Sequence, residues 1–204
     1  MAALPSEILA DILSRVPAKP LLRFKCVCKS WNSLIKSPNF IKLHLKQTLI
    51  SNSDRHLLVS SEYSSSLHSA DLDLNHNLIS CSELHHPLKH HNAVKLVGSC
   101  NGVVCISDES KNNVVLYNPL TKSRREIPVD QISNPSNDFI VLGFGYDSKN
   151  DGYKVLRVVD ESEVILYSSN NNSWKTVGSF PYYLGYRGFS GLLVNEALHF
   201  MVTK

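Results

Sequence analysis

The chain has 204 residues, 43% of them hydrophobic, and a formal net charge of +3. That composition supports a packed core and excludes global disorder, and no apolar run approaches the roughly 20 residues of a membrane-spanning helix. Cys26, Cys28, Cys81, Cys100 and Cys105 form no regular framework and the first residues lack a secretory signal, so a reduced protein of the cytoplasm and/or nucleus is expected.

The first 49 residues read as helices. Ile8, Leu9, Ile12, Leu13 and Val16 recur on one helical face. Pro5 suits a first turn, and Pro17 and Pro20 allow a second helix to start at about Ala18. Phe24, Val27, Cys28, Trp31, Leu34 and Ile35 form another stripe, stopped by Ser37-Pro38, and Phe40, Ile41 and Leu45 continue into a short last helix. This head carries eight basic residues (Arg15, Lys19, Arg23, Lys25, Lys29, Lys36, Lys42 and Lys46) against Glu7 and Asp11, so it should meet something acidic, either a nucleic acid or a protein. A module of this size buries little surface by itself. Leu4, Ile8, Leu9, Ile12 and Leu13 make its first stripe wider than one thin helical layer needs, which reads as an interface.

The runs Leu4-Pro5-Ser6-Glu7-Ile8-Leu9-Ala10-Asp11-Ile12-Leu13 and Val16-Pro17 through Val27-Cys28-Lys29-Ser30-Trp31, with Ser37-Pro38-Asn39-Phe40 after them, closely resemble the plant F-box. The resemblance implies docking on the SKP-type adaptor of an SCF ubiquitin ligase, and through it on a cullin scaffold. It assigns the adaptor contact to Leu4, Pro5, Ile8, Leu9, Ile12, Leu13, Leu22, Cys26 and Val27, with Trp31 anchoring the head's own core. The adaptor family is acidic, which fits the basic head. A DNA-binding helix-turn-helix is the rival for a basic helical head, but the lysines are scattered over several helices instead of lining one exposed face.

From about His56 short β-branched runs alternate with Asn, Ser, Asp and Gly clusters, the pattern of strands and turns. Strands are predicted over 56–60, 67–73, 94–98, 103–107, 113–118, 139–146, 153–159, 163–168, 173–178, 190–194 and 197–202, with 75–92 as a connecting loop. Val114-Val115-Leu116-Tyr117 recurs 50 residues on as Val164-Ile165-Leu166-Tyr167, and Asn101-Gly102, Asp151-Gly152 and Asn195-Glu196 open similar strands. A repeat of about 40–50 residues with four strands is the signature of propeller blades. Gly98-Ser99-Cys100-Asn101-Gly102, Tyr117-Asn118-Pro119, Gly143-Phe144-Gly145-Tyr146 and Asp151-Gly152-Tyr153-Lys154-Val155 are also similar to the plant F-box-associated region. That resemblance implies a kelch-like domain recruiting the protein to be ubiquitinated. The expected architecture is therefore multidomain α + all-β: a three- to four-helix F-box (1–49), then an incomplete β-propeller (50–204). The chain stops just inside a third repeat and reads as a truncated form.

Catalytic and ligand motifs are weak. Gly98-Ser99-Cys100-Asn101-Gly102 fits a G-x-C-x-G nucleophile elbow, which would make Cys100 a thiol hydrolase, but the strand-like Val103-Val104-Cys105 follows where an elbow needs a helix. A blade turn is expected, with Cys100 a small buried hydrophobe. Cys81, His85, His86, His90 and His91 lack paired metal-ligand spacing and read as a solvated loop, and Cys26-x-Cys28 as a packing pair. The expected function is a non-enzymatic substrate receptor with no cofactor or metal, no nucleic acid and no membrane, bound to the adaptor and an unidentified target protein. A receptor that occupies the adaptor without delivering a target is the second reading.

Overall fold

A computed structural model describes residues 4–52, 56–61, 64–72, 78–129, 140–159, 163–179 and 190–201. The chain divides into two compact units, Met1–Leu57 with Ser69–Cys81 and Leu58–His68 with Ser82–Lys204.

Four helices make up most of the first unit: α1 (Ser6–Ser14), α2 (Ala18–Phe24), α3 (Lys29–Lys36) and α4 (Pro38–Ser51). Proline punctuates them. Pro5 and Pro17 sit in extended conformation immediately before α1 and α2, where no amide donor is needed. Ser37 breaks α3 from α4 with ψ 140, and its hydroxyl accepts from the Phe40 amide as the cap of the next helix, whose first residue is Pro38. The single stripe expected over residues 24–35 is divided between α2 and α3, because the chain leaves helical geometry at Cys28 (φ −161). The last helix, expected to be short, is the longest at 14 residues and ends at Asn52 in the left-handed conformation. Leu13, Leu21, Ile35 and Phe40 form the head's core, with Leu9, Val16, Phe24, Trp31 and Leu34 against it. Phe24 meets Trp31 edge-on at 5.7 Å, so Trp31 has the anchoring role expected of it.

The remaining elements are strands: β1 (His56–Ser60), β2 (Leu67–Leu72), β3 (Leu78–Leu84), β4 (Val94–Cys100), β5 (Val103–Asp108), β6 (Val114–Tyr117), β7 (Arg124–Glu126), β8 (Ile140–Asp147), β9 (Gly152–Val159), β10 (Glu163–Ser168), β11 (Ser173–Ser179), β12 (Leu192–Val194) and β13 (Ala197–His199). They pair in sequence order into sheets of β1-β2-β3, β4-β5-β6-β7, β8-β9-β10-β11 and β12-β13. The two four-stranded meanders are the repeat seen in the sequence, with β6 and β10 in equivalent third positions. The loop expected over 75–92 is corrected by β3, while Asn75-His76-Asn77 lies outside the described residues.

Turn chemistry sets the register. Cys100 pairs with Val103 across Asn101 (φ 52) and Gly102 (φ 75), and Val194 pairs with Ala197 across Asn195 (φ 48) and Glu196 (φ 64). Two central residues at positive φ make the hairpin turn whose twist matches that of the strands.

One hydrophobic cluster joins the two meanders: Val97, Cys105, Val114, Leu116 and Ile127 from one, and Ile140, Leu142, Phe144, Val155 and Tyr167 from the other. On β8, Gly143 and Gly145 let the β12–β13 ribbon come close. A Cβ at Gly145 would lie 2.9 Å from Leu193 Cδ1, and one at Gly143 3.0 Å from Phe200 Cζ. Gly145→Val should therefore push Leu193 off the sheet. Overpacking of this kind costs about 1–3 kcal/mol, and limited proteolysis should cut the Asn195-Glu196 turn faster than in the parent. Unchanged cleavage there would show that the ribbon does not depend on this approach.

Candidate docking site

Helix α1 presents two edges. Leu13 is 2% exposed and Leu9 packs against the core it belongs to, whereas Ile8 is 50% exposed and Ile12 49%. Leu4 and Pro5, at the entrance to α1, are also exposed, and Leu4 keeps 61% of its surface. Cys26 and Val27 are exposed in the turn that follows α2, while Leu22 is half-buried. The turn is closed by amides of Cys26 and Val27 donating to the carbonyls of Arg23 and Phe24, both at 3.1 Å.

Leu13 leaves the contact set. Its side chain fills the space between Leu21, Ile35 and Phe40 and offers no surface. Leu4, Pro5, Ile8, Ile12, Cys26 and Val27 stay available to a partner, and Leu9 and Leu22 partly so. A packing role for Cys26-x-Cys28 is corrected as well, since both thiols are exposed. Cys28 opens α3, and its hydrogen bonds, first with the Ser30 hydroxyl at 3.1 Å, hold the thiol below its ordinary pKa. Across the head, Asp11 is taken up by Arg15 at 3.0 Å along α1, so one of its two acidic groups is locally neutralised.

The other sequence candidates resolve differently. Cys100 lies in a strand-to-strand hairpin turn, not at the start of a helix, and its burial raises the thiol pKa. That is the wrong direction for a nucleophile. His86 departs from the solvated loop expected for it: it is buried, its Nε2 lies 2.6 Å from the Ser65 carbonyl, and desolvation lowers its pKa. Among the described residues no group of three or more His, Cys, Asp or Glu is placed to hold a metal ion, and no helix is long and apolar enough to cross a membrane.

Residues 1–43 match the F-box domain, and residues 49–204 match the F-box associated beta propeller domain. The chain belongs to the plant F-box protein family. As an F-box protein it is similar to F-box protein CPR1 of Arabidopsis thaliana, with 33% identity over the whole chain and 54% of that protein. It is also 30% identical to the F-box/kelch-repeat protein At3g23880 of the same plant, over 98% of the chain and 59% of that protein. The chain thus spans somewhat over half the length of the curated relatives it matches. The α1 edge and the turn after α2 are exposed apolar parts of its F-box, as is Ile41 on α4, and the paired meanders are blades of its propeller-like body.

Proposed function

We propose that this F-box protein is a substrate receptor of an SCF-type ubiquitin ligase, with residues 1–49 docking on the SKP-type adaptor and the β-rich body holding a target protein. The observation that carries the docking is the division of α1: Leu13 secures the helix from within, while Ile8 and Ile12 on the same helix, and Leu4 just before it, are left open. Burying such side chains supplies about 25 cal/mol per Å² before association costs. The basic head speeds encounter with an acidic adaptor more than it tightens the complex.

The mechanism is positional, with no catalytic step on this chain. An adaptor held at one end and a target at the other raise the effective concentration of the target's lysines near the ubiquitin-charged enzyme on the cullin.

Isothermal calorimetry against the adaptor tests the docking. Leu4→Ala combined with Pro5→Ala should weaken binding by about 1–3 kcal/mol, the usual cost of truncating interface anchors. Unchanged affinity would remove the entrance to α1 from the interface.

A further inference from the structure

The stretch between β3 and β4 buries a histidine. His86 is 7% exposed, and its Nε2 stands 2.6 Å from the Ser65 carbonyl. A carbonyl only accepts, so Nε2 carries the hydrogen, and in a neutral ring Nδ1 is then a bare lone pair. Nδ1 is buried as well and has no hydrogen-bond partner among the described residues.

This bond joins two irregular segments of one compact unit. On one side, residues 64–66 lead into β2. There the Ser66 amide donates to Ser64 Oγ at 2.9 Å, and the Val94 amide of β4 donates to the Ser64 carbonyl at 3.3 Å. On the other side, the Tyr117 hydroxyl of β6 donates to the His85 carbonyl at 2.6 Å, and the Lys89 amide donates to the His86 carbonyl at 3.3 Å. Leu67, Leu84 and Leu88 flank the two segments and pack with Val94, Val104, Ile106 and Val115 of the first four-stranded sheet. The ring therefore ties together the backbone on either side of that packing.

A proton on Nδ1 would place a hydrogen where no acceptor stands and a charge where water is excluded. Glu83, the carboxylate that acts on the ring, is held by Lys89 Nζ at 3.1 Å. Lys89 and His85 oppose a second positive charge beside them. Residues 64–67 carry no titratable side chain, the Tyr117 hydroxyl is spent on the His85 carbonyl, and His68 of β2 faces Glu83. Desolvation outweighs the other effects and holds His86 below the ordinary histidine pKa of 6.5.

We propose that His86 is an acid-sensitive latch: the neutral ring holds residues 64–66 against the stretch after β3, and uptake of a solvent proton at Nδ1 releases them and loosens Leu67 and Leu88 from the first four-stranded sheet. The step forms one N–H bond and reverses when the pH is raised. It is independent of adaptor docking.

The sign follows from the two protonation midpoints. The opened ring takes its proton near 6.5 and the latched ring only at lower pH. Between those values the opened form holds more protons, so the latch weakens as pH falls. When the opened ring alone is protonated, opening becomes about tenfold more favourable at pH 5.5 than at pH 7.5, which is the upper limit of the effect.

Hydrogen exchange of the whole chain, read by mass spectrometry and corrected for the pH dependence of intrinsic exchange, tests the latch. Peptides covering residues 64–72 and 85–94 should exchange several-fold faster at pH 5.5 than at pH 7.5, up to that limit, while peptides from β9 and β10 keep their protection. In His86→Gln the side-chain amide can still donate to the Ser65 carbonyl but takes up no proton, so the acceleration should vanish from both segments. Titration of the His86 ring proton by NMR in the parent gives a check that needs no variant to fold, and its midpoint should lie below 6.5. Equal acceleration in parent and variant, unchanged protection of both segments in the parent, or a midpoint at or above 6.5 overturns the proposal.

Discussion

Ile8→Asp combined with Ile12→Asp should abolish adaptor capture while leaving the helical head folded. Both side chains are about half exposed and point away from the cluster of Leu13, Leu21, Ile35 and Phe40. Replacing them removes no core volume, so the change in stability should stay within the small range of surface substitutions. At a docked interface the same changes delete two apolar anchors and bury two unpaired carboxylates. Central interface residues cost about 2 kcal/mol or more each, so a loss of at least about 100-fold is expected. Leu13→Asp is the contrasting variant: it should unfold the head, with loss of helical circular dichroism, because the carboxylate enters the core. Full adaptor binding by the Ile8/Ile12 variant would move the docking surface off α1 and undo the receptor reading.

The second large effect lies in the body. Phe144 is 1% exposed and stacks on Tyr153 with ring centroids 5.7 Å apart. Its Cβ also lies 3.5 Å from where a Cβ on Gly98 would stand, so β4 and β8 meet at this ring. Phe144→Ala should cost about 3–5 kcal/mol, the transfer loss plus the cavity left in a cluster shared by both sheets. At about 2–4 °C per kcal/mol for a unit of this size, the thermal midpoint should fall by roughly 10 °C. A fall of only a degree or two would mean that the sheets are held together elsewhere. Tyr167 offers an internal comparison, since it is fully buried in the same cluster but also donates its hydroxyl to Asn172 Oδ1 at 2.8 Å. Tyr167→Phe should cost only that hydrogen bond, about 1 kcal/mol.

Much of this was legible from residue order because the deciding interactions are local. Proline and serine mark the helix boundaries, Asn-Gly marks a hairpin, and the fifty-residue recurrence from Val114 to Val164 marks the four-stranded sheets. Reading failed where two neighbours compete for one role. Ile12 and Leu13 are both aliphatic and adjacent, and the packing of Leu21, Ile35 and Phe40 around Leu13 decides which faces inward. Strand β3 was hidden because Ser80, Cys81, Ser82 and Glu83 dilute its apolar content, and its edge position leaves residues 80–83 exposed. Its Ser80 hydroxyl donates to Asp71 of β2, which also accepts from His56 Nδ1 at 2.6 Å. Such pairings between strands carry no periodic signal.

Each four-stranded sheet is a simple meander in which every strand bonds to the one made just before it. Few residues separate partners, so the entropy lost on closing each loop is small. During synthesis the stretch from Val94 to Glu126 can complete its hydrogen-bonded ladder while later segments are still being translated. What it then lacks is the neighbouring sheet that covers Val97, Cys105 and Leu116. A nascent chain paused after Glu126 would be ordered yet sticky, and a chaperone would be needed over that interval and not during the pairing itself.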